Sequence, residues 1–129
     1  MIAPKLHEIK REKKKSLFFR EISQLVGLIS NENIDAQKVY VTRVDFSPDC
    51  GIVYVYLATF GAYSEEIFDK ALYALILYKP SIRKEIATKL NPRHTPDIVF
   101  LYDENKEKQD RMDELLDKVS QDLEKNKNN

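Results

Sequence analysis

Lys10, Arg11, Lys13, Lys14 and Lys15 crowd five cations into six positions. From Met1 to Arg20 seven cations, Lys5 and Arg20 included, face only Glu8 and Glu12, a local net of +5. A second group follows later: Lys79, Arg83, Lys84, Lys89 and Arg93, with His94 beside it. Over residues 70–94 six cations oppose Glu85 alone, again +5. Such clusters suit phosphate. A guanidinium holds two oxygens at once and an ammonium supplies point charge. Each phosphate neutralised makes binding more sensitive to salt. The whole chain, 129 residues with 21 Lys plus Arg and 21 Asp plus Glu, has no net charge. That total excludes a strongly basic nucleic-acid binder, but not one with a basic patch. For either run alone a solvated helix face is the simpler reading. Two runs opposed by an acidic tail put phosphate binding level with it.

Other chemistries find little support. His7 lies in the basic segment and His94 in the loop Asn91-Pro92-Arg93-His94-Thr95-Pro96, so neither has a local partner for catalysis or metal binding. Cys50 is the one cysteine, which excludes an internal disulfide and a Cys-rich zinc site and suits a reducing cytoplasm. Gly27, Gly51 and Gly61 form no phosphate loop. The acids near the C-terminus lack the glycine and oxygen spacing of a calcium loop. No catalytic residue, metal, cofactor or small-molecule substrate is expected. No apolar run approaches the roughly 20 residues of a membrane helix, and the charged start has no signal-peptide core.

The elements that position the cations follow from periodicity. Leu17 or Phe18, Ile22, Leu25 or Val26 and Ile29 recur at steps of three and four, which predicts a helix over 16–29 whose first turns could start at Leu6. Val39–Phe46 and Ile52–Leu57 read as strands of an antiparallel hairpin, joined by Ser47-Pro48-Asp49-Cys50-Gly51, where glycine permits positive φ. Ser64 caps a helix carrying Ile67, Phe68, Ala71, Leu72, Leu75 and Ile76. Pro80 interrupts the pattern, so two helices meet at a break over 78–81, and Asn91-Pro92 stops the second. In the second helix Arg83 and Lys84 leave the face of Ile82, Ile86 and Leu90 and project outward beside Lys79. Asp97–Tyr102 is a third strand, able to lie parallel to a neighbour after its helical crossover. From Asp103 the chain is charged, nine acids against six bases, with Met112, Leu115, Leu116, Val119 and Leu123 at helical spacing. The last residues, 125–129, read as a frayed tail. Three strands bury too little alone, so helices cover one face: an α+β two-layer sandwich. Tyr40, Tyr54 and Tyr56 admit RNA stacking, but cross-strand packing is the simpler account.

Several of these pieces, taken in order, resemble one family. Val41-Thr42-Arg43-Val44 with Ser47-Pro48-Asp49, then Val53-Tyr54-Val55, then Ile82-Arg83 with Ile86 and Leu90, are similar to segments of bacterial ribosome-binding factor A. Pro96-Asp97-Ile98-Val99-Phe100 with Asp103 resembles its Pro-x-Leu-x-Phe-x-x-Asp ending. The resemblance covers about Leu17 to Leu116. It implies a type II KH-like domain (α-β-β-α-kink-α-β) with a three-stranded sheet. It also implies binding of the small (30S) ribosomal subunit and its 16S rRNA during late maturation and rRNA processing. The family's Ala-x-Gly kink corresponds here to Tyr78-Lys79-Pro80. That is a departure, and close approach of a glycine backbone to RNA does not carry over.

The expected organisation is a basic arm or helix start over 1–15, a KH-like RNA-binding domain over 16–103, and a charged C-terminal helix and tail over 104–129. The expected function is a non-enzymatic, cytoplasmic, monomeric ribosome assembly factor. Lys79, Arg83, Lys84, Lys89 and Arg93 would hold phosphates near the kink, and Lys10 to Lys15 would extend the contact. The alternative is a protein-interaction adaptor using an exposed strand edge or the C-terminal helix.

Overall fold

The apolar positions of the first helix need a surface to bury against, and in the computed structural model a three-stranded sheet supplies it. The structure describes residues 6–127. Lys5 of the basic segment and the last two tail residues lie outside them, as do the side chains of His7 and Leu123. The elements run α1 (Leu6–Glu32), a 3-10 turn (Ala36–Lys38), β1 (Val39–Phe46), β2 (Ile52–Thr59), α2 (Glu65–Leu77), α3 (Lys79–Lys89), β3 (Asp97–Tyr102) and α4 (Glu104–Lys127). The sheet order is β1-β2-β3, with β1 antiparallel and β3 parallel to β2. This is the α+β architecture that the resemblance implies, with α4 added.

Phe18, Ile22, Leu25, Val26 and Ile29 of α1 bury against Val44, Phe46, Val53, Val55, Leu57, Ile98 and Phe100 of the sheet. Phe68, Ala71 and Leu75 of α2 and Ile82 and Ile86 of α3 complete the same core. Ile22, Leu57, Leu75 and Ile98 are fully buried. Each such side chain contributes about 1.5–3 kcal/mol of transfer free energy. Phe18 meets Phe46 edge-on, with ring centroids 5.0 Å apart. The opposite sheet face carries Tyr54, Tyr56, Val99 and Leu101, all half-buried or exposed.

Two local details differ from the sequence reading, and a third settles a choice it left open. The left-handed residue of the β1–β2 turn is Cys50, at φ 59, not Gly51. Gly51 is needed for close approach instead. Its N–H donates to Asp49 Oδ1 at 3.0 Å, and a Cβ there would sit 3.2 Å from the same carboxylate. The break between α2 and α3 narrows to Tyr78, because Pro80 falls in the first turn of α3, where a missing N–H costs nothing. Finally, α1 starts at the earlier of its two expected points and runs 27 residues. Asn33 ends it, its side chain accepting from the N–H groups of Asp35 and Ala36 at 3.0 and 3.2 Å. Among the described residues no helix is long and apolar enough to cross a membrane.

Candidate nucleic-acid interface

The cations of α1 sort by their place on the helix. Arg11, Lys14 and Lys15 lie on or beside the face that continues to Phe18 and Ile22, so they meet the end of β1. Arg11 donates to the Phe46 carbonyl at 2.8 Å and lies 3.9 Å from Asp45. Lys15 lies 3.2 Å from Asp45 and 3.4 Å from Glu12. Lys14 sits 4.9 Å from the Phe46 ring centroid and 5.8 Å from that of Phe18, a cation–π arrangement. The Asp45 hydrogen bond raises the Lys15 ammonium above its ordinary range. Burial pushes Asp45 up, but the Phe46 N–H, Lys15 and Arg11 outweigh it and hold the carboxyl below its usual range. Lys10 and Lys13 are exposed and make no ion pair among the described residues.

The cations of α3 point three ways. Lys89 faces α1, 3.6 Å from Glu21 and 4.0 Å from Glu85. Arg83 turns to the following loop and donates to the Thr95 carbonyl at 3.4 Å. Lys84 is exposed. Arg93 is exposed in the loop before β3, and Lys79 is half-buried at the start of α3. None of Lys79, Lys84 and Arg93 makes an ion pair among the described residues.

The Glu21–Lys89 pair sets the end of α3 beside the middle of α1. Leu25, Leu28, Ile29 and Glu32 of α1 line one groove with Tyr78, Ser81, Ile82 and Glu85 from the start of α3. The two helices therefore run antiparallel. The Asp97 N–H donates to the Gly51 carbonyl at 2.9 Å, which anchors the loop carrying Arg93 at the β1–β2 turn. Lys14 over Phe46 brings the first turns of α1 to the same end. The structure thus places Arg11, Lys14 and Lys15, beside Asp45 and Phe46, and the loop that carries Arg93 at the β1–β2 end of the molecule, with Lys89 further along α1 at Glu21. Lys79 stands about 15 Å along α3 from Lys89, at a rise of about 1.5 Å per residue, and belongs to the other end. Arg83 and Lys84 leave α3 between them in different directions.

One constellation joins residues that the sequence showed only as separate pieces of the resemblance, Thr42 and Arg43 in one and Asp103 in another. The Arg43 guanidinium stacks on Tyr56 at 3.7 Å from the ring centroid and lies 3.5 Å from Asp103. Thr42 donates to Asp103 at 2.6 Å, and Asp103 accepts from the Lys106 N–H at 3.1 Å, which caps α4. The partners are some sixty residues apart, so no local spacing could show them. Tyr40 packs on Phe60 with ring centroids 4.7 Å apart. Among the described residues no three His, Cys, Asp or Glu side chains form a group able to hold a metal ion.

What this end of the molecule can do is hold a polyanion. The family model of ribosome-binding factor A matches residues 10–116. Ribosome-binding factor A of Microcystis aeruginosa is 32% identical over 108 residues, covering 83% of this chain and 83% of the relative. That of Prochlorococcus marinus is 34% identical over 106 residues, covering 81% of this chain and 85% of the relative. Among solved structures, the crystal structure of ribosome-binding factor A from Thermus thermophilus superposes with a TM-score of 0.61 at 22% identity, covering 71% of this chain and 93% of that one, a likeness of fold. With the family model spanning most of the sequence, the chain belongs to the ribosome-binding factor A family.

Proposed function

We propose that this protein binds the small ribosomal subunit through 16S rRNA and assists its late maturation and rRNA processing without catalysing a reaction. It acts in the cytoplasm as a monomer. The observation that carries the reading is the basic end, where Lys10 to Lys15 of α1 and the loop with Arg93 lie toward the β1–β2 turn. Lys10 and Lys13, in the second turn of α1, are exposed without an ion pair among the described residues, and a phosphate there would neutralise them. Lys10, Lys13 and Arg93 are the phosphate contacts. Lys14, with its head over Phe46, and Lys84 extend them. Arg11 and Lys15 shape the surface through Asp45, and Lys89 does so through Glu21. The mechanism is positional: the protein occupies immature rRNA until it folds, then leaves.

The test is sedimentation of a cell lysate through sucrose gradients, with blotting for the protein at low and moderate salt. Co-migration with free small subunits, absence from translating ribosomes and loss at higher salt are expected. Migration at the top of the gradient even at low salt overturns the reading. An adaptor role would then rest on α4, whose Met112, Leu115, Leu116 and Val119 are all exposed.

A further inference from the structure

The groove between α1 and α3 has an apolar floor of Leu25, Ile29 and Ile82, and its cavity measures ≈ 230 Å³. Leu28 on its wall is 60% exposed. Two carboxylates, Glu32 from α1 and Glu85 from α3, stand among the lining residues, and no lysine or arginine does. Glu32 makes no ion pair among the described residues, and Glu85 reaches Lys89 only at 4.0 Å. The hydroxyl-bearing Tyr78 and Ser81 complete the lining. The α1–α3 pair is therefore uneven: cations lie beyond the Glu21–Lys89 pair at one end, and toward the other lies an apolar slot edged by Glu32, with no ion pair among the described residues, and by Glu85, which Lys89 reaches at 4.0 Å.

We infer that this slot is a second binding site, for a basic peptide segment of a protein partner that inserts an aliphatic side chain between flanking lysines or arginines. Charge decides the occupant. RNA phosphate would meet Glu32 and Glu85 and be repelled, whereas a lysine or arginine beside the inserted side chain neutralises both. The apolar floor separates this site from a mere acidic patch, because burying an aliphatic side chain adds transfer free energy that charge alone lacks. The site does not depend on the RNA reading: it uses none of the cations assigned to phosphate.

The experiment is fluorescence anisotropy of the full chain with a labelled Lys-Leu-Lys-Leu-Arg peptide. Lys-Ser-Lys-Ser-Arg and Glu-Leu-Glu-Leu-Glu peptides serve as controls. The Lys-Leu peptide binds, the Ser version binds about tenfold more weakly, and the Glu version does not bind. The paired change Glu32→Lys with Glu85→Lys weakens the Lys-Leu peptide by about tenfold or more. Lysine at the C-terminal end of α1 suits the helix dipole, so folding is kept, and a thermal melt verifies it. Leu28→Asn weakens the same peptide without changing the charge of the slot. Equal binding of the Ser and Leu peptides, no binding of either, or indifference to the Glu32 and Glu85 changes overturns the inference. So does tighter binding of an RNA oligonucleotide than of the Lys-Leu peptide at this slot, read as RNA binding lost in Leu28→Asn. RNA binding that fails in Lys13→Glu with Arg93→Glu bears on the proposed function instead and leaves this site standing.

Discussion

Lys89 reaches to 3.6 Å from a Glu21 carboxylate oxygen that is shut off from solvent and accepts no hydrogen bond. The pair ties α3 to α1, and its two ends are unequal. The Glu21 side chain is 18% exposed, the Lys89 side chain 44%. Removing Lys89 strands a mostly buried carboxylate, whereas removing an exposed cation strands nothing. Lys89→Ala is therefore expected to cost about 1 kcal/mol, less than a fully buried pair because solvent screens the exposed lysine. Arg93→Ala should leave the melting temperature within error. Thermal melts of the two variants check this. An equal effect on both would show that Glu21 finds other compensation.

The same division should appear in RNA binding. Lys13→Ala and Arg93→Ala each remove one phosphate partner. Each is expected to lower the slope of log affinity against log salt by about 0.7–0.9. Arg11→Ala and Lys15→Ala should act mainly through stability, because both cations are already spent on Asp45 and Phe46. Filter binding of an rRNA fragment at several salt concentrations, beside melts of all four variants, separates the groups. A full slope retained in Lys13→Ala with Arg93→Ala would move the RNA contact elsewhere.

Asp103 gives the fold an acid limit. Burial pushes its pKa up, but the Thr42 hydroxyl, the Lys106 N–H and Arg43 together hold it below the ordinary range. Asp45 is depressed as well, through Phe46, Lys15 and Arg11 against burial. A carboxyl depressed in the folded state binds its proton more readily when unfolded. Its stabilisation is complete above the ordinary value of about 3.9 and is lost as pH falls through the lower folded value. Melting temperature should stay level from neutral pH to about 5 and drop below about 4. Asp103→Asn keeps an N-cap but loses the charge, so it should flatten that acid limb. Asp103→Ala also removes the cap and should cost about 1–3 kcal/mol, with a fall in helical circular dichroism from α4. An acid limb unchanged in Asp103→Asn would assign the acid sensitivity to Asp45.

Most of the fold was legible because its signals are local. The alternation in Val39–Phe46, the Ser64 cap and the three-and-four spacing before Ile29 each lie within one element. The positive φ at Cys50 was not legible, since the presence of Gly51 points one place too far along the turn. The candidate site was legible in composition and not in arrangement. Lys10 to Lys15 form a run, but which of them face Asp45 depends on how α1 lies on β1. Arg83, Lys84 and Lys89 look like one cluster in the chain, yet a helix turns about 100° per residue, so the three leave it in different directions. Glu21, which claims Lys89, belongs to another element altogether.

Pro80, in the first turn of α3, offers a direct test of where RNA contacts the protein. Its ring sets φ for the first turn of α3, and the Ile82 N–H closes that turn on the Tyr78 carbonyl at 3.0 Å. Pro80→Gly loosens the unfolded chain and should lower stability by about 1 kcal/mol. Because the start of α3 lies about 15 Å from Lys89, the change should leave the salt slope and RNA affinity as they were. Melts and filter binding of this one variant measure both quantities. Tighter RNA binding by the glycine variant would place a backbone contact at Tyr78-Lys79 and shift the interface toward the kink. Unchanged binding with a lower melting temperature would leave the first turns of α1 and Arg93 as the contact, with the kink serving only to turn the chain.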